Sequence, residues 1–318
     1  MLKTKLISGL LIIIIIISLP YFITLILNEN RTINDVKIES GEKGVKIINE
    51  LGEVEELGLE EYIIGVVAAE MPVSFEREAL RAQAVAARTY AVKHMGENAT
   101  IHVDDIYQSY ISKKKMEEIW GVRNFAENYN KISDAVLSTR GEIIVYDDEP
   151  IEAVFHSTSA GRTQGAQDVW QAELPYLVSV DSSEDMRAPT FLTVKTFSND
   201  EIIQLIKKAV PDFEIYSSNV IEQTQIIRRS EGGYITSMQI GNTIFTGEEI
   251  RNILSLKSSN FTMENYDGDV RFVSKGYGHG VGLSQYGANY MAEEGYTYEE
   301  ILKHYYYNID IVLLEKSE

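Results

Sequence analysis

The clearest pattern of apolar and polar positions lies at 59–72, LeuGluGluTyrIleIleGlyValValAlaAlaGluMetPro. Leu59, Tyr62, Ile63, Val66 and Val67 recur at i, i+3, i+4, i+7 and i+8, the stripe of an amphipathic helix. The next stripe position is Glu70, and Pro72 ends the helix predicted over 59–71. A carboxylate on a core-facing stripe is disfavoured as an anion by desolvation, and at a helix C-terminus by the helix dipole as well. A carboxyl kept protonated is what a general acid needs, so Glu70 is the first candidate for chemistry. The bland alternative is that Glu70 turns outward at a frayed end.

Ser74 is the expected N-cap of a second helix running to about His94. Ala79, Ala82, Ala84, Ala86, Ala87 and Ala91 let other elements approach it closely, so it should be central and buried. Arg88 lies in its middle and needs a carboxylate or a ligand as partner. The short turn around Pro72 packs the two helices as a hairpin, which would allow Arg88 and Glu70 to share a pocket.

Further along, 142–146 and 151–156 read as strands flanking an AspAspGluPro turn, and 190–197 as another. Strands follow near 220–229 and 233–245. Capping boxes at 198–201, 246–249 and 297–300 open helices over 199–209, 247–254 and 298–306. Helices and hairpins without a βαβ rhythm predict an α+β fold, with room for two lobes.

The N-terminus changes this picture. Lys3 and Lys5 precede an uncharged run from Leu6 to Leu27, long enough for a helix to span a bilayer. SerLeuPro (18–20) is a poor cleavage site. The expectation is therefore a transmembrane anchor over 1–27, a linker over 28–45 and an extracytoplasmic domain over 46–318. The positive-inside rule keeps the N-terminus cytoplasmic, so the protein would sit in the cell membrane by a single pass. The chain of 318 residues has no cysteine and a net charge of −19. Disulfides and thiolate chemistry are excluded, and so acidic a surface argues against nucleic acid.

Candidate chemistry gathers in GlyTyrGlyHisGlyValGlyLeuSerGlnTyrGlyAla (276–288). Its glycines allow close approach of a ligand, and Ser284 can cap the helix that follows. The segment fails the dinucleotide, P-loop and hydrolase-elbow patterns, because Leu283, the missing Gly-Lys and Tyr286 break them respectively. A tight turn with a satisfied His279 is the plain alternative. HisSerThrSerAlaGlyArgThr (156–163) is a second polar loop, and His156 or His279 with Ser157 or Ser284 would make a nucleophilic set. His102 with Asp104 and Asp105 is a weak metal cluster, for which a solvated turn is the simpler reading. AsnAlaThr (98–100) and AsnPheThr (260–262) match a short glycosylation pattern. Tyrosines such as 305–307 serve as sugar platforms or as half-buried aromatics.

Taken together, GluTyrIleIleGlyValValAlaAlaGluMetPro with the AlaArgThrTyrAla block (61–91), HisSerThrSerAlaGlyArgThr and the glycine-rich segment resemble the stage II sporulation protein D family over roughly 45–310. The resemblance implies a lytic transglycosylase of peptidoglycan acting in forespore engulfment, with Glu70 catalytic and Arg88 in the substrate site. It also implies a pocket lined by the His156 and His279 loops, which puts Gln83, Ser157, Ser159, Ser284 and Gln285 among the substrate-binding candidates. Some members hold zinc with a histidine and a cysteine. This chain has no cysteine, so neither a metal nor another cofactor is expected. The implied partners are glycan strands, the sporulation amidase (stage II sporulation protein P) and stage II sporulation protein M. Two alternatives remain open. One is a non-catalytic glycan-binding enhancer of an amidase. The other is a water-using muramidase, with Asp104, Asp105 or Asp168 as second carboxyl.

Overall fold

The computed structural model describes residues 18–19, 33, 44–48, 54–95, 101–102 and 108–314. Strands β1 (Gly44–Ile48) and β2 (Val54–Gly58) pair antiparallel, and β2 runs directly into helix α1 (Leu59–Glu70). Helix α2 (Arg77–Lys93) returns along it. Strand β3 (Ile101–His102) joins β1 in parallel, and α3 (Lys113–Leu137) packs against both α1 and α2. The hairpin β4 (Glu142–Tyr146) and β5 (Glu149–Pro150) follows, then the short β6 (Phe155–His156) and α4 (Ala166–Trp170).

Past a 3-10 turn at Ser183–Arg187, the chain forms β7 (Leu192–Phe197), α5 (Asn199–Ala209), β8 (Thr224–Arg229), β9 (Ile235–Ile240) and β10 (Thr243–Phe245). Helix α6 (Gly247–Ile253) and the strands β11 (Phe261–Tyr266) and β12 (Asp269–Lys275) complete this stretch. The chain then ends with β13 (Leu283–Ser284), α7 (Gln285–Glu293), α8 (Tyr298–Tyr305) and β14 (Asp310–Leu313).

Two hydrophobic cores divide the molecule. The first centres on α1, α2 and α3 and is completed by Leu283 of β13 and by Ile301, Leu302 and Tyr305 of α8. The second holds Ile202, Ile206, Phe213, Met238, Ile250, Phe261 and Phe272, all contributed between 202 and 272. The second is thus an insertion into the first. Its two three-stranded sheets, β10-β9-β8 and β11-β12-β7, are antiparallel throughout. This is the expected α+β architecture with two lobes.

Three details differ from the pattern-based reading. Glu76, not Ser74, precedes α2, and it makes no side-chain cap. The turn instead closes through Phe75 N–H to Pro72 O (3.0 Å), and Asn289 Oδ1 accepts the Glu76 N–H (2.7 Å). A tertiary acceptor replaces the local cap. The strand expected over 151–156 shrinks to β6, which leaves the hairpin and pairs in parallel with β13. Asp147 and Asp148, both left-handed, make the hairpin turn, so β4 pairs only with Glu149 and Pro150 on that side. The run over 233–245 is two strands, because Gly241 and Asn242 turn the chain between β9 and β10.

The membrane anchor requires correction. Among the described residues no helix is long and apolar enough to cross a membrane. The expected span over 1–27 lies outside the described residues except for Ser18 and Leu19, as does most of the linker over 28–45. The transmembrane element and the single-pass membrane location are therefore removed from the description of this fold.

Candidate active site

Helix α1 is buried almost all round, from Leu59 through Val67 apart from Glu61. Apolar periodicity thus does not single out one inward face. Its last turn emerges, and Glu70 is half-buried rather than sealed in the core. Glu70 Oε1 accepts the backbone N–H of Ser109 at 2.8 Å. The segment carrying Ser109 lies against α1 because residue 65 is glycine. A Cβ there would strike the Tyr110 ring and come within 2.9 Å of Ile111 O. Ile111 N–H in turn bonds Gly65 O at 3.3 Å, and Tyr62 stacks on Tyr110 with ring centroids 5.6 Å apart.

Arg88 is fully buried, but its partner is Glu60. Its Nε and Nη2 donate to the two Glu60 carboxylate oxygens at 2.9 and 2.6 Å, the bidentate geometry that suits guanidinium. Nη1 and Nη2 also donate to the carbonyls of Glu142 (3.1 Å) and Val136 (3.2 Å). Glu60 Oε1 further accepts Gly141 N–H at 3.1 Å. The pair ties α1, α2 and the α3–β4 turn together. Glu60 and Glu70 stand ten positions apart on one helix, about 15 Å along its axis. The structure therefore places Arg88 at the far end of α1 from Glu70, not in a shared pocket.

The two histidine loops do come together. The rings of His156 and His279 lie 5.7 Å apart, and both are held by Val281. His156 Nδ1 faces Val281 O at 3.1 Å and must donate to it, which leaves Nε2 as a lone pair. His279 Nδ1 accepts Val281 N–H at 3.1 Å, which leaves the proton on its Nε2. Burial, and then the neighbouring His279, push the His156 pKa down to about 3. Burial likewise lowers His279 to about 4. Both are neutral near pH 7 and too weakly basic to activate a serine. Residue 278 is glycine for a steric reason: at φ +115° a Cβ would stand 2.7 Å from His156 Cβ.

The serines serve the scaffold. Ser284 caps α7 by accepting Gly287 N–H, and its hydroxyl donates to Asp185 at 2.8 and 2.9 Å. Asp185 is fully buried and also accepts from Ser159 N–H (2.8 Å) and Ser182 Oγ (2.9 Å). Burial raises its pKa, and these hydrogen bonds work against that rise. One carboxylate thereby joins the loop after β6 to the start of α7. Gln83 and Gln285 are buried and meet at 3.4 Å between α2 and α7. Ser157 Oγ contacts Thr158 Oγ1 at 3.3 Å. Neither His156 nor His279 bonds Ser157 or Ser284, so these four form no nucleophilic set.

Beside His279 opens a recess of about 500 Å³, lined also by Tyr90, Gln108, Glu152, Phe155 and Trp170. Sequence reasoning missed Gln108, Glu152 and Trp170, although Trp170 is one of only two tryptophans. Gln108 is fixed by Tyr62 Oη, which donates to its Oε1 (3.3 Å), and by its own Nε2 donating to Ala87 O (3.2 Å). The next residue, Ser109, holds Glu70. Gln108 of the recess and the Glu70 carboxyl are thus linked through the 108–109 peptide. Of the carboxylates weighed for a hydrolase, Asp168 lines a separate recess with Glu173, while Asp104 and Asp105 lie outside the described residues. A zinc site with a cysteine ligand does not fit this chain, and among the described residues no three His, Asp or Glu side chains converge. The second glycosylation match fails structurally, because Asn260 is buried with its amide bonded to Gly232 O.

Comparison with known proteins gives the chain's relatives. A family model described as stage II sporulation protein matches residues 48–146, the region of α1 to β4. A second, described as a domain of unknown function (DUF8618), matches 171–282 and covers the insertion. The stage II sporulation protein D of Bacillus amyloliquefaciens is 42% identical over 266 residues, covering 81% of this chain and 75% of that protein. Its counterpart in Bacillus subtilis (strain 168) is 40% identical with the same coverage. The amidase enhancer of Bacillus subtilis is 27% identical over 76% of this chain and 39% of its own length. With its α1 carboxyl, paired histidine loops and these relatives, the chain belongs to the stage II sporulation protein D family.

Proposed function

We propose that this protein is a peptidoglycan lytic transglycosylase with Glu70 as its single acid and base, acting in septal wall remodelling and engulfment during sporulation. The observation that carries the reading is the position of Glu70. It is a half-buried carboxyl oriented by the backbone N–H of Ser109, the residue that follows Gln108 of the recess.

In the first step Glu70, protonated, donates to the oxygen linking N-acetylmuramate C1 to N-acetylglucosamine. That bond breaks as the leaving oxygen takes the proton, and the 2-acetamido group stabilises the cationic carbon. In the second step Glu70, now anionic, takes the proton of the muramate C6 hydroxyl. The oxygen closes on C1, giving a 1,6-anhydro end without consuming water. The glycan strands are the substrate. Stage II sporulation proteins P and M are proposed partners, the first removing stem peptides beforehand.

Glu152 supports one competing reading, because its carboxyl lines the recess beside Gln108. A hydrolase using it would leave reducing ends. Mass spectrometry of peptide-stripped glycan strands after digestion decides between them. Anhydro ends, one water lighter and lost with Glu70→Gln, are expected. Reducing ends would replace the transglycosylase by a hydrolase. Glycan binding without cleavage would favour the non-catalytic enhancer.

A further inference from the structure

Trp170 is the last residue of α4 and is followed by Gln171 in the left-handed conformation (φ 54°). It is 42% exposed, although it carries the largest apolar side chain. The indole stands beside the recess and leans on the His279 ring, with centroids 5.4 Å apart. His279 is in turn fixed by Val281 N–H and by a bond to the Phe155 backbone. The ring against which the indole leans is therefore set by hydrogen bonds in the free protein, which lowers the ordering cost of binding.

The rest of the recess has a defined chemistry. Val154, Phe155 and Leu174 give it an apolar wall, and Glu152 gives it an acceptor. One Glu152 oxygen is held by His94 Nε2 at 2.9 Å, which orients the carboxylate. An aromatic face, an apolar wall for a methyl group and one oriented acceptor match a sugar ring carrying an acetamido group. The C–H face of the ring lies on the indole, the acetamido methyl meets the wall, and its N–H donates to Glu152.

We infer that the Trp170 recess is a binding subsite for one N-acetylated pyranose, next to the bond that Glu70 breaks. The last clause rests on the reading of Glu70 given above. The subsite itself rests on the recess alone. Trp170 supplies the platform, and Glu152 distinguishes acetamido sugars from plain hexoses.

The test uses the tryptophan count. Trp120→Phe leaves Trp170 as the sole tryptophan of the full chain. In that background, with Glu70→Gln added so that ligand persists, a peptide-free N-acetylglucosamine–N-acetylmuramate tetrasaccharide is titrated against Trp170 emission. A saturable change is expected, with cellotetraose giving none at the same concentrations. By calorimetry, Trp170→Ala should weaken tetrasaccharide binding about tenfold and Trp170→Tyr by much less. Calorimetric binding that leaves Trp170 emission unchanged would overturn the subsite. Equal binding of cellotetraose would overturn the acetamido assignment. Cleavage surviving Glu70→Gln would remove the acid/base reading while leaving a positive titration intact, so the two failures are distinguishable.

Discussion

The two ends of α1 carry carboxylates with opposite roles. Glu60, in the first turn, is sealed with Arg88, and the two side chains are 4% and 0% exposed. All their strong hydrogen-bonding capacity is turned inward, on each other and on the backbone of neighbouring elements. Glu70, in the last turn, is held among the described residues by one backbone N–H and stays half-exposed. The lesson is that a buried, fully satisfied charge is architecture, while a carboxyl positioned but left unfinished is available for chemistry.

The largest effect should come at Glu70. Glu70→Gln preserves shape and the Ser109 contact but removes the proton. Turnover on glycan strands should fall by about 10²–10⁴, the range for losing a general acid–base group, with an unchanged melting temperature. If activity persists, the two ends of the helix do not differ as described. Arg88→Ala is the opposite case. It leaves Glu60 buried without its Arg88 guanidinium, and should cost about 3–5 kcal/mol of stability by denaturant titration. A fully stable Arg88→Ala protein with weakened substrate binding would return Arg88 to the substrate site. Replacing both partners, Glu60→Met with Arg88→Met, should recover much of the loss, because two desolvated charges are removed together.

The histidine pair sharpens the comparison by pH. Both residues bind protons less readily folded than unfolded, where histidine titrates near 6.5. Their contribution is complete above that pH, and is lost as pH falls toward about 4 for His279 and about 3 for His156. Stability measured between pH 7 and 4.5 should therefore fall, and fall less steeply in His156→Asn. A parallel slope in the variant would show that the pair is not the source. The smallest effect concerns Gly65. Gly65→Ala should push the Tyr110 segment off α1, displacing Ser109 from Glu70 and lowering turnover more than substrate affinity. Unchanged kinetics would mean that the Ser109 N–H does not orient the acid.

Much of this was legible in the chain, and the reasons are local. The α1 helix, its end before Pro72, and the three capping boxes depend on residues within four positions of one another. All three boxes are present as expected, with Ser198, Thr246 and Thr297 each paired to the glutamate three residues on. The neighbourhood of the two histidine loops could be read only through family resemblance. Glu60 and Asp185 escaped notice because a buried carboxylate has no signature of its own. Its partners come from 28 residues away in one case and 99 in the other. The long helix α3 was also unassigned from the pattern. It is broken at Gly121, where φ is +73°, so its two halves do not share one stripe.

The sequence by itself determined the end of α1, the starts of the three helices with capping boxes, the absence of thiol chemistry, the acidic surface and Glu70 as the carboxyl to watch. Those follow from short-range hydrogen bonding and from composition. Tertiary structure alone decided that Arg88 belongs to Glu60, that Val281 sets both histidine tautomers, and that Trp170 lines a recess with Gln108, whose neighbour Ser109 holds Glu70. Such choices depend on which distant groups burial brings within hydrogen-bond reach, and chain spacing does not encode that distance.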